Sequence, residues 1–209
     1  MIIEVDEYKK KVAGYDPERS EDFHRESAKL ADKDFIEHLK SGKYREVIFM
    51  AGGAASGKTE FSTSYLTADD QLIYDGTLKN FDGFQIKLKN IKRYAKNNPN
   101  VKVVLIIPED WVKAFQAFLK RERKMKPFTF FDTHIRSKLA VARVLKETDI
   151  SVEIHASIPK EDSEKLDYVG IKTEGNRGLA IAGLVSAARQ LHEIAEKEGL
   201  DIIADYGNI

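Results

Sequence analysis

Eight consecutive residues carry the clearest chemical signal in the chain: Gly52, Gly53, Ala54, Ala55, Ser56, Gly57, Lys58 and Thr59. Their order fits G-x-x-x-x-G-K-[ST], the Walker A pattern, in which each residue type has a physical task. Gly52 and Gly57 permit backbone angles and a close approach that a β-carbon would block, so successive N–H groups can turn inward toward phosphate oxygens. The small side chains of Ala54, Ala55 and Ser56 keep that concavity open. Lys58 can neutralise β- and γ-phosphates, and Thr59 can offer its hydroxyl to Mg²⁺. A helix starting at this point adds the positive end of its dipole. The chemistry expected is binding of the polyphosphate of Mg²⁺-ATP.

Other candidates lie downstream. Asp75 ends the apolar run QLIYD, and in a parallel sheet the carboxyl ends of strands face the ligand. It is expected to hold Mg²⁺ or to accept the proton of a substrate hydroxyl; the plain alternative is an Asp-Gly turn. Arg121 and Arg123, in LKRERKMK, are candidate clamps on a phosphate in transfer, as is Arg136 in FFDTHIRSK. Cations at a helix end need no such role. His134 stands in the same run as Arg136, where Asp132 or Thr133 also reads as a helix cap after a loop. Asp69 and Asp70 read as a solvated turn. His24, His38, His155 and His192 lack metal-ligand spacing and are assigned to structure or surface. Trp111, Phe115 and Phe118 recur at core spacing.

The elements that must position these residues alternate. Apolar runs predict strands over residues 46–51, 71–75, 101–108 and 151–157, with a possible last one in DIIAD, residues 201–205. Helical periods fall over residues 57–66, 84–97, 110–123, 133–146 and 177–198, and two short helices are expected between 20 and 39. Strands alternating with helices imply a mostly parallel sheet in a three-layer α/β sandwich of P-loop type. Residues 1–45, polar and charged, are expected as a helical extension packed on a nucleotide-binding domain of residues 46–209.

Composition narrows the class. At 209 residues, with 34 basic and 34 acidic side chains, the chain is long enough for one ordinary core and neutral overall. Neutrality argues against a polybasic protein, and a 42% hydrophobic content argues against disorder. The absence of cysteine removes disulfides, thiolate catalysis and cysteine-bound zinc. No apolar run suits a signal peptide or a membrane span, so a cytoplasmic protein without membrane contact is expected. Charge is nonetheless uneven: residues 79–126 hold 13 basic against 4 acidic side chains, an excess that can track a nucleic-acid backbone.

Taken in order, GGAASGKTEF, YDGTLKN, VVLIIPEDWVKAFQAFLKRER and FFDTHIRSK resemble the zeta toxin family of P-loop kinases over residues 43–154. Characterised members of that family use ATP to phosphorylate the sugar of UDP-N-acetylglucosamine. The resemblance implies that Lys58 and Thr59 bind ATP phosphates and Mg²⁺, and that Arg121 or Arg123 acts on the transferring phosphate. Arg136 is a looser match. It also implies a nucleotide sugar as the small-molecule phosphate acceptor and an antitoxin-like protein partner. The chain departs from the family in one respect. Only 15 residues lie between Thr59 and Asp75, where the family has a further strand with its base aspartate and a helical insert. Asp75 then serves as base, or the base lies elsewhere. A polynucleotide 5′-hydroxyl kinase and a non-catalytic ATP-binding regulatory module are the alternatives.

Overall fold

The computed structural model describes residues 1–122, 125–160, 163, 165–171, 175–207 and 209. Six strands form one sheet: β1 (Ile2–Glu4), β2 (Glu46–Ala51), β3 (Gln71–Asp75), β4 (Asn100–Pro108), β5 (Ser151–Pro159) and β6 (Leu166–Ile171). Their spatial order is β1-β3-β2-β4-β5-β6, parallel throughout except for the antiparallel β5–β6 pair. The helices are α1 (His24–Ser41), α2 (Lys58–Tyr65), α3 (Phe81–Tyr94), α4 (Trp111–Leu119), α5 (Pro127–Glu147) and α6 (Arg177–Lys197). Short 3₁₀ turns at Glu7–Lys11 and Pro17–Phe23 join β1 to α1. The sheet carries helices on both faces, the three-layer α/β arrangement expected.

Alternation along the central strands sorts the core. Val47, Phe49, Leu72, Tyr74, Val103 and Leu105 pack with Phe35 of α1, Phe84 of α3 and Val141 of α5. Ile48, Met50, Ile73, Val104 and Ile106 point the other way, onto Phe61 of α2 and Tyr168 of β6. Both faces are buried, which is why these strands read as continuous apolar runs. A third cluster joins Phe118 of α4 and Phe130 of α5 to Leu191 of α6, with Trp111 and Phe115 against it.

Several boundaries differ from expectation for local reasons. Residues 24–41 contain no glycine or proline, so one helix replaces the two expected, and it stops at Gly42 in a left-handed conformation. Asn80 caps α3 by accepting from the N–H groups of Asp82 and Gly83, which starts that helix earlier than expected. Pro127 opens α5 two turns before Thr133. FFDTHIRSK is therefore helix interior, and the expected loop with an Asp132 or Thr133 cap is absent. α4 ends at Leu119, short of residue 123. Residues 201–205 form no strand; Ile202 instead packs beside α5 and α6. Two strands were not expected, β1 and β6. β1 places the chain's first residues at the sheet edge beside β3, and α1 is tied there by Tyr74, whose hydroxyl donates to Asp32 at 2.6 Å.

Candidate functional site

The glycine-rich loop leaves the carboxyl end of β2 and enters α2 directly. Its conformation depends on the missing β-carbons. Gly52 has φ of 131°, and a β-carbon there would lie 2.4 Å from the Ile106 carbonyl oxygen. One on Gly53 would lie 2.1 Å from the His134 ring. α5 is the floor under this loop. Its Thr133 hydroxyl accepts the Ala54 N–H at 3.0 Å, and His134 Nε2 donates to the Ala54 carbonyl at 2.9 Å. Burial, with Lys138 close by, holds the His134 pKa well below its usual value, so the ring is neutral. The Lys138 ammonium is buried too and donates to the His134 carbonyl at 3.3 Å; burial pulls its pKa down to about 8.

Lys58, Thr59 and Asp75 converge in front of the loop. Lys58 Nζ donates to the Gly53 carbonyl at 2.7 Å and approaches Ser56 Oγ at 3.3 Å. Part of its side chain is accessible, yet protein surrounds the ammonium, and this desolvation pulls its pKa down to about 8. Thr59 Oγ1 donates to Asp75 Oδ2 at 2.8 Å. Asp75 is buried, and desolvation raises its pKa despite Lys58 and Thr59. Burial thus outweighs the mutual attraction of Lys58 and Asp75 at both ends. Gly57 caps α2 without a side-chain acceptor, so among the described residues no side-chain oxygen caps the first turn of α2.

A cavity of about 760 Å³ opens over these groups. Ala54, Ala55, Ser56, Gly57, Lys58, Thr59 and Asp75 line it, and so does Arg121, which follows α4. Arg121 is close enough to lower the pKa of both Lys58 and His134. Ala55 and Leu78 have positive φ, 60° and 45°, and both line the cavity. Among the described residues they are the non-glycine residues in that region, and such strain concentrates at ligand sites.

The remaining candidates are placed elsewhere. Arg136 is on the exposed side of α5, pairs with Asp132 at 3.5 Å and does not line the cavity. Asp132 also pairs with Lys79 at 2.8 Å. Asp69 and Asp70 are exposed in the turn before β3. Arg123 lies outside the described residues. His24, assigned by sequence to structure or surface, lines the cavity.

The opposite wall was not anticipated. Glu4, at the end of β1, and Asp6, Glu7, Lys9 and Glu21 beyond it all line the cavity. Lys9 is buried, pairs with Asp6 at 3.0 Å and donates to Ser20 at 3.0 Å. Glu21 accepts from the Thr129 hydroxyl at 2.5 Å and the Lys126 N–H at 3.0 Å, pinning this segment to α5. A three-residue strand followed by charged turns offers no periodicity to read.

The cradle around residues 52–59 and the donor set of Lys58, Thr59 and Asp75 suit a polyphosphate with Mg²⁺. Among the described residues, no three His, Asp or Glu side chains are grouped as a protein-only metal site. Mg²⁺ characteristically needs few protein ligands when phosphates supply the rest. Among the described residues, no helix is long and apolar enough to cross a membrane. No protein-family model matches the chain, and a search of curated proteins finds no significant match.

Proposed function

We propose that this protein is a P-loop phosphotransferase that binds Mg²⁺-ATP and moves the γ-phosphate to a hydroxyl of a small molecule such as a nucleotide sugar. The observation that carries the reading is the meeting of Lys58, Thr59 and Asp75 beneath a glycine-shaped loop in one cavity. In this reading the α2 N-terminus and the loop amides receive phosphate oxygens. Lys58 exchanges its contacts with Gly53 and Ser56 for the β- and γ-phosphates. Thr59 and Asp75 would hold Mg²⁺, which would supply neutralisation of the charge that develops on the phosphates. Arg121 faces the same space and stabilises the group in transfer.

A small acceptor is favoured over a polynucleotide. Cations of the basic stretch are spread over several elements, and several are paired: Lys79 with Asp132, Lys87 with Asp32, Lys102 with Glu46 and Glu153.

The test is transfer of label from Mg²⁺-[γ-³²P]ATP into a mixture of UDP-sugars and 5′-hydroxyl RNA, with Lys58→Ala as control. Label on a UDP-sugar that disappears in the control is the expected result. Label on RNA would move the acceptor to nucleic acid. Label that never leaves ATP would contradict the kinase reading and favour a regulatory module.

A further inference from the structure

Asp75 is expected from the sequence to orient the acceptor hydroxyl, but its carboxylate is already engaged by Thr59 at 2.8 Å. That engagement suits it to the metal side of the site and gives the part of proton acceptor to a second carboxylate. The sheet order shows where one stands. Passing outward from the glycine-rich loop, β2 is followed by β3, which ends in Asp75, and then by β1, which ends in Glu4. Glu4 and Asp75 are direct partners in the parallel register, so their side chains leave the sheet on the same face, the one α2 covers. Adjacent strands lie roughly 4.8 Å apart, which puts Glu4 one strand spacing beyond Asp75 and about two from the loop strand.

The other cavity-lining carboxylates of this wall are committed. Asp6 pairs with Lys9, Glu7 pairs with Lys10 at 2.7 Å, and Glu21 is held by Thr129 and the Lys126 N–H. Among the described residues, Glu4 has neither a hydrogen bond nor an ion pair, and it is half-buried at the cavity wall.

Resting on the phosphotransferase reading above, we infer that Glu4, delivered by the N-terminal strand, is the general base for the acceptor hydroxyl. The Glu4 carboxylate takes the hydroxyl proton as the acceptor oxygen bonds to the γ-phosphorus. The bond from that phosphorus to the β–γ bridging oxygen breaks, its electron pair leaves with ADP, and Glu4 releases the proton to solvent afterwards. The charged groups around it are Asp75 on β3, Asp6, Glu7 and Lys10 in the following turn, and Lys58 and Glu60 of α2.

The experiment measures Mg²⁺-ATP binding by calorimetry and kcat against pH for wild type, Glu4→Gln and Glu4→Asp, with the acceptor labelled in the UDP-sugar mixture. Glu4→Gln should lower kcat by about 10²-fold or more while Mg²⁺-ATP affinity stays within about twofold. The wild-type rate should fall on the acid side as Glu4 is protonated, and Glu4→Gln should lose that limb. Glu4→Asp should keep it, displaced toward lower pH, and it decides the matter if Glu4→Gln does not fold. Unchanged kcat and an unchanged acid limb in the variants of an active protein would overturn Glu4 as base and leave the kinase standing. A wild type that binds no Mg²⁺-ATP or labels no acceptor would overturn both.

Discussion

The two walls of the cavity are built in opposite ways. On one side, residues 52–59 are contiguous, and the loop, Lys58 and Thr59 are set by one strand, one turn and one helix. On the other, Glu4 meets Asp75 across 71 positions of sequence, through one parallel strand pair. The first wall depends on local backbone freedom. The second depends on burial of Ile3 in the main core and on Glu21 gripping the start of α5. Substitutions should therefore act on the loop wall mainly through chemistry and, Glu4 apart, on the N-terminal wall mainly through stability.

The largest effect that would separate the walls is Lys58→Met. It should reduce phosphotransfer by on the order of 10³-fold, since a preorganised charge on the transferring group is lost. It should also raise the melting temperature at pH 7, because a desolvated ammonium is removed. Loss of activity together with loss of stability would remove the distinction between the walls. On the other side, Ile3→Ala should cost about 2–5 kcal/mol by denaturant titration, the amount for a fully buried isoleucine. A cost below about 0.5 kcal/mol, the level of an ordinary surface change, would mean that β1 is not integral to the sheet.

The difference also explains what was legible. The glycine-rich loop could be read because its chemistry is contiguous, and β2, β3 and β4 because burial on both faces leaves unbroken apolar runs. Asp75 was recognisable as a strand end. Its bond to Thr59 was not, because that needs the two elements in space. Glu4 was invisible as a site residue, since three residues cannot display a period and its partner is 71 positions away. FFDTHIRSK draws notice for its polar residues and reads as a helix start after a loop. Its actual work is to press Thr133 and His134 against Ala54 from inside a helix that Pro127 starts.

Two smaller effects concern the floor beneath the loop wall and the loop itself. Lys58 and Lys138 both have pKa values pulled to about 8, so the fold carries desolvated charge below that pH and sheds it above, while the unfolded chain stays protonated to about 10.5. Stability should rise from about pH 8 to 10. It should fall beyond that as tyrosines held neutral in the fold, Tyr74 among them, ionise on unfolding. Lys138→Met should flatten the rise and stabilise the protein at pH 7 by roughly 1–4 kcal/mol, measured by thermal denaturation across pH. A slope that survives in both the Lys58 and Lys138 variants would place its source elsewhere. Smallest of all, Ala55→Gly should stabilise by up to about 1 kcal/mol by relieving the positive φ. Destabilisation would mean that the strain at Ala55 is offset by contacts of its methyl group.

Residues 52–59, with Asp75, are proposed to form a Mg²⁺-ATP site. Its most direct measurement is a calorimetric titration of the full chain with Mg²⁺-ATP, repeated on Gly53→Ala, whose added β-carbon has no room against His134. The account predicts one site per chain, with a Kd in the range of about 1 μM to 1 mM, and binding weakened or abolished in Gly53→Ala. No binding to wild type across that range, or equal binding by the variant, would contradict it.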